Sequence, residues 1–126
     1  MKAVIVETFG PVDQAVYGEA PDPTPGPGEV IVDVKAAEAN FPDILVMEGA
    51  YQIKPPTPFS PGKAAAGVVS ALGAGVADLG IGDRVGVQVE YGAYAEKLKT
   101  EAATCYPMPA DMPFDVSAAL GLVYQT

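Results

Sequence analysis

Apolar residues recur at period two through much of this chain. In "EVIVDVKAAE" (29–38), Val30, Val32 and Val34 fall on one face with Ile31 opposite, which predicts a half-buried β-strand. The same alternation around Val4 and Val6 predicts a strand in "KAVIVE" (2–7). Further strands are predicted in "AAGVVSALG" (65–73), "DRVGVQV" (83–89) and "AYAEKLKT" (93–100), and "ATCYPMP" is strand-like. The period changes in "FPDILVMEG" (41–49). Pro42 suits a first helical turn, Gly49 suits a helix end, and Ile44, Leu45 and Glu48 lie at helical spacing. A second helix is predicted in "FDVSAALGLVYQT" (114–126), with Asp115 as its N-cap before Ser117 to Leu122.

The 14 glycines and 13 prolines are spread along the chain and punctuate these short elements. Proline-rich or glycine-rich loops are predicted at 21–29, 51–62, 79–83 and 107–112. Many short strands, few helices and no strand–helix–strand rhythm predict a mainly β fold, a barrel or sandwich, and not a Rossmann sheet. A length of 126 residues suits one compact domain.

Composition narrows the chemistry. With 49% hydrophobic residues the chain can build a core, and its apolar runs are too short to span a membrane. The opening "MKAVIVETFGP" reads as strand and turn, not as a secretion signal, so a cytoplasmic protein is expected. A net charge of −9 repels phosphate backbones and anionic lipid, which argues against nucleic-acid and membrane partners. There is no histidine and one cysteine, Cys105. This removes the usual zinc ligand sets, Ser-His-Asp or Cys-His catalysis, and any internal disulfide. Cys105 has no neighbouring base or positive cluster in the sequence and is expected to be a small buried filler.

Five segments stand in a specific order: "PGPGEVIVDVKAAEANFPDILVMEGAY" (25–51), "PFSPGKAAAGVVSALGAGV" (58–76), "GDRV" (82–85), "YGAYAE" (91–96) and "AALGLVYQT" (118–126). Together they resemble the N-terminal, GroES-like catalytic domain of the zinc-independent medium-chain dehydrogenase/reductases, in particular NADPH:quinone oxidoreductase. The resemblance covers essentially all of residues 1–126. It implies a partly open β-barrel with a few short helices. It also implies a Rossmann cofactor domain that would follow the chain and is absent from it. The stretch "GAGVADLG" (73–80) is a poor dinucleotide loop, because Asp78 stands at the third glycine position and "GDRV" follows where a helix should.

The resemblance also assigns candidate residues. Zinc-dependent relatives carry Cys where Asn40 stands and His where Lys63 stands, so a metal-free mechanism is implied. Asn40 would lie near the nicotinamide of NADPH; read by itself, it suits a helix N-cap before Pro42. Thr126 matches a threonine near the nicotinamide carboxamide, although a frayed terminus is the simpler reading of a last residue. Asp43 would belong to the surrounding polar network, and Phe41 and Tyr91 to the wall of a cleft for a flat, conjugated substrate. Tyr91 and Tyr94 can equally be barrel packing. Tyr51 is the catalytic candidate, because a phenol can donate a proton or hydrogen bond to a developing oxyanion without a metal. It is also an ordinary half-buried aromatic beside a loop.

The implied reaction is hydride transfer from NADPH to a quinone or enone, with the cofactor held mainly by the missing domain, so that the isolated chain is expected to be inactive. Two departures from the resemblance stand out: Glu38 where Gly is usual, and Ala64 where an acid is usual. They raise the expectation of a truncated, even engineered, domain. The alternatives are a non-catalytic GroES-like binding or scaffold module, and an enoyl-thioester reductase domain in which Tyr51 would be the proton donor. Loss of a Rossmann domain would leave a surface through which a homo-oligomer can form.

Overall fold

The computed structural model describes residues 1–39, 41–52 and 54–125, with the side chains of Phe41 and residues 120–125 outside that description. The candidate residues Asn40 and Thr126 therefore lie outside the described residues.

The strand predicted at 29–38 is the centre of the fold. It forms β3 (Glu29–Glu38), after β1 (Lys2–Ile5) and β2 (Val16–Glu19). It is followed by α1 (Phe41–Glu48), β4 (Ala64–Leu72), β5 (Arg84–Gln88), β6 (Lys97–Glu101), β7 (Cys105–Pro107) and α2 (Phe114–Gln125). An antiparallel sheet runs in the order β6-β3-β4-β5-β7, and β1 and β2 pair separately. The fold is mainly β with two short helices, and the sheet is not closed, since β6 and β7 remain its edges.

The alternating valines explain the core. Val30 and Val32 are fully buried with Ala65, Val69, Val85, Val87 and Leu98, and Val34 packs against them. Each fully buried valine contributes about 1.5–3 kcal/mol of apolar burial. Ile31, on the opposite face, is buried as well, so β3 is covered on both sides. A smaller cluster of Val6, Val46, Met47 and Phe59 fastens α1 to the first strand and to the proline-rich loop.

Helix α2 packs across β3, β4 and β5. Arg84, from "GDRV", anchors its start. Its Nη2 donates to the Met112 carbonyl at 2.6 Å, and its guanidinium lies 3.9 Å from the centroid of the Phe114 ring.

Two local expectations are corrected, and two features that the sequence pattern did not mark are added. Strand β2 carries no alternation to reveal it: Val16 and Tyr17 are exposed, and β2 is held by its ladder to β1. In α1 the buried positions are Asp43, Val46 and Met47, whereas Ile44 and Glu48 are exposed, because Val6 and Phe59 meet the other stripe of the helix. Asp115 is not an N-cap: the helix already begins at Phe114, and Asp115 Oδ1 accepts from the adjacent Val116 N–H. The strand expected from Ala93 starts at Lys97, because the backbone at Ala93 and Tyr94 is bonded to Gly62 and Pro61.

Strand β4 crosses β3 very closely. A Cβ on Gly67 would sit against the Asp33 carbonyl oxygen, well inside contact distance and with only backbone to give way. Gly67→Ala is therefore expected to destabilise the fold by about 3 kcal/mol, measured as a fall in the urea midpoint without a change in m.

Candidate functional site

The site is built where "PGKAAAGVV" turns from the proline-rich loop into β4. Gly62 has φ of 105°, a left-handed conformation that glycine adopts without strain. Its carbonyl accepts from Ala93 N–H, the Pro61 carbonyl accepts from Tyr94 N–H, and the Lys63 carbonyl accepts from Val89 N–H. The backbone at 61–63 is thus clasped between residues 89 and 93–94. This fixes where the Lys63 side chain starts.

Lys63 is buried. Its Nζ donates to Glu90 Oε2 at 3.0 Å and to the Glu90 carbonyl at 3.3 Å, and it lies 4.3 Å from the centroid of the Tyr51 ring. Tyr51 reaches this position because α1 ends at Glu48 and the next residue, Gly49, with φ of 76°, turns the chain away from the helix axis. Tyr91 stands beside Glu90, its ring edge-on to Phe59 with centroids 6.0 Å apart. Tyr51, Lys63, Gln88, Glu90, Tyr91 and Tyr106 line an open cleft of about 880 Å³.

Asp43 occupies a different place. It is 3% exposed, and its Oδ2 accepts a hydrogen bond from the Tyr94 hydroxyl at 2.8 Å. The same hydroxyl is 2.9 Å from the Glu38 carbonyl, so one phenolic proton serves two acceptors. Burial, and then the Asp43 carboxylate, hold the Tyr94 phenol well above its ordinary range, so it stays a donor. Asp43 and Tyr94 line a separate apolar groove of about 750 Å³ with Val12, Val16, Ile44 and Met47. The structure thus brings Tyr51 and Tyr91 together and sets Asp43 apart from them. Phe41 opens α1, and its side chain lies outside the described residues.

The two departures at Glu38 and Ala64 turn out to be one feature. Glu38 is the direct cross-strand partner of Ala64, which in turn faces Gln88. Partners in register share a sheet face. Glu38 thus places a carboxylate on the strand next to position 64. Glu38 Oε2 is buried and makes no hydrogen bond among the described residues.

The resemblance marks Lys63 only as a replaced metal ligand and does not single out Glu90. The available signal was a lone lysine inside the apolar run "PGKAAAGVV", because a cation there must find a counter-charge. Tyr94, expected as barrel packing, also ties Asp43 to β3. Cys105 fits its reading as a filler: it is half-buried, and burial pushes its thiol up to about 11. The described residues contain no group of three or more His, Cys, Asp or Glu that could hold a metal. The 73–80 stretch does not fit a dinucleotide cradle. Gly73 N–H donates to the Glu29 carbonyl, Gly28 N–H donates to the Ala74 carbonyl, and β5 follows instead of a helix.

Two outcomes are expected from this polar layer. Tyr94→Phe should cost about 1–3 kcal/mol at neutral pH, since Asp43 loses a buried donor. Because the folded-state pKa of Tyr94 is raised, its contribution is complete below the ordinary value of 10.0 and declines as pH rises above it. The variant should therefore lose less stability than the parent above that pH in denaturant titrations. Ala64→Glu should destabilise strongly by placing a second buried carboxylate opposite Glu38. Glu38→Gly in the same chain should restore about 1–2 kcal/mol of that loss, read as the coupling in a double-mutant cycle.

Residues 26–110 match the model of the alcohol dehydrogenase GroES-like domain. The chain is 38% identical over 128 aligned residues to the synaptic vesicle membrane protein VAT-1 homolog of Rattus norvegicus, an alignment covering 100% of this chain and 32% of that protein. It is 41% identical over 107 residues to quinone oxidoreductase-like protein 2 of Rattus norvegicus, covering 85% of this chain and 30% of the relative. The Escherichia coli quinone oxidoreductase structure complexed with NADPH superposes with a TM-score of 0.87 at 31% identity, over 94% of this chain and 36% of that one. The chain spans about a third of the length of these relatives. The match over most of its length, on this unclosed sheet with two short helices, makes the chain a member of the alcohol dehydrogenase GroES-like domain family, within the medium-chain dehydrogenase/reductases.

Proposed function

We propose that residues 1–126 are the substrate-side domain of a zinc-independent, NADPH-dependent oxidoreductase acting on a quinone or enone. The observation that carries this reading is the open cleft in which Tyr51 and Tyr91 stand together beside a buried cation. Its setting is a chain one third the length of oxidoreductase relatives, one of them seen with NADPH.

Two aromatic side chains suit a flat conjugated ligand. The Tyr51 hydroxyl is the donor for the oxygen on which negative charge develops. Tyr91 lines the cleft, and Phe41 would add to its wall. Asp43 acts at a distance, through Tyr94, by holding α1 against β3. The hydride comes from the nicotinamide, which a Rossmann domain outside these residues would hold, with Asn40 and Thr126 as this chain's contributions to its binding. A donor set with no histidine and a single cysteine supports a metal-free site.

In this reading the protein is cytoplasmic and works on small molecules without a nucleic-acid or membrane partner, and a homo-oligomer is compatible with it. No described helix is long and apolar enough to cross a membrane. The vesicle membrane in the VAT-1 relative's name belongs to that protein.

The test is NADPH-dependent quinone turnover by residues 1–126 alone and by the same residues joined to a Rossmann cofactor domain. Turnover is expected only in the joined protein, and Tyr51→Phe should lower its kcat on the order of 100-fold. A folded, NADPH-binding joined protein without turnover would favour a non-catalytic binding module. Turnover of an enoyl thioester in place of quinone, lost in Tyr51→Phe, would favour the enoyl-thioester reductase reading.

A further inference from the structure

Lys63 presents a buried ammonium to the cleft, and the carboxylate that balances it is not buried. The Lys63 side chain is 6% exposed, whereas that of Glu90 is 60% exposed. These two ends of one ion pair behave differently. A buried cation without a counter-charge is strongly unfavourable. A largely exposed carboxylate loses little by returning to water and regains side-chain freedom. The Glu90 carboxylate can therefore leave, provided another negative charge takes its place at Lys63.

The remaining contacts of Lys63 do not depend on that carboxylate. The Glu90 carbonyl at 3.3 Å is backbone, and the Tyr51 ring lies 4.3 Å from Nζ. Both persist when the carboxylate exchanges. The incoming group then meets an ammonium already oriented by two partners, beside the aromatic side chains of Tyr51 and Tyr91.

We infer that Lys63 is a carboxylate-recognition residue and that the cleft selects planar conjugated ligands bearing a carboxylate, with Glu90 as a tethered competitor for the same position. A neutral carbonyl of the same shape brings no charge to replace Glu90 at Lys63, so it binds the cleft less tightly than the carboxylate. This rests on the proposed oxidoreductase reading and names the ligand class for its cleft. The assignment comes from this chain's own pair: a lysine nine-tenths buried and a glutamate that is mostly in water.

The experiment is a ligand titration of residues 1–126 followed by NMR chemical shifts, with no NADPH present. It thus separates ligand selection from hydride transfer: quinone turnover can fail while this selection holds, and the reverse. The probes are trans-cinnamate, trans-cinnamamide and acetate. Cinnamate should perturb residues 51, 63 and 88–91 and bind at least about tenfold more tightly than cinnamamide or acetate. Lys63→Met, which keeps most of the apolar stem, should abolish the preference for cinnamate over cinnamamide. Glu90→Gln, at a surface side chain, should tighten cinnamate binding several-fold by removing the competitor.

Equal binding of cinnamate and cinnamamide by the parent chain would overturn the inference. So would acetate binding as tightly as cinnamate, or a preference that survives in Lys63→Met. Unchanged or weaker cinnamate binding by Glu90→Gln would also overturn it, and this arm stands even where Lys63→Met does not fold.

Discussion

The close crossing of β3 and β4 is the constraint on which the rest of the structure depends. Val30 and Val32 fill the core from one strand, and Ala65 and Val69 meet them from the other. Gly67 leaves room for the Asp33 carbonyl where any side chain would intrude. The pairing is irregular, with register shifts between Ile31 and Val32 and between Val34 and Ala36. Beyond the second shift the partners are Ala36 with Ala66, Ala37 with Ala65 and Glu38 with Ala64. The acid at 38 thereby faces the alanine at 64, and the strand ends beside the start of α1.

Around this apolar centre, polar groups are placed where the chain reverses. Pro61, Gly62 and Lys63 are clasped by backbone hydrogen bonds from Val89, Ala93 and Tyr94. One side of this clasp leads to Lys63 and Tyr51 in the open cleft, and the other leads to Tyr94 and Asp43 beneath α1. The two polar assemblies share a backbone support but have different solvation. Asp43 and Tyr94 sit in a largely enclosed network that holds elements together. Lys63 is enclosed while its carboxylate partner is in water, an asymmetry expected of a binding position more than of a structural ion pair.

The fold was legible to the extent that burial followed a regular period. Strand β3 spans the residues its valines predicted, and β4, β5 and both helices lie within a few residues of expectation. Strand β2 was illegible because its valine and tyrosine face solvent, so no alternation marks it. The buried stripe of α1 was illegible for a related reason. Ile44 and Leu45 are more apolar than Asp43, yet Tyr94 waits as a partner for Asp43, and a hydrogen-bonded carboxylate can be buried.

The sequence by itself determined the core strands, the absence of a histidine-based or disulfide chemistry, and the ordered motifs that mark the family. These are properties of local period and composition, which do not need to know what lies across the sheet. Only the tertiary structure decided that Glu38 stands opposite Ala64, that Tyr94 rather than solvent meets Asp43, and that Lys63 lies under Tyr51 with Glu90 as its counter-charge. Each of these joins residues distant in sequence through strand register and chain clasping. The physical meaning of a buried charge lies in its partner, and the partner is fixed by the fold.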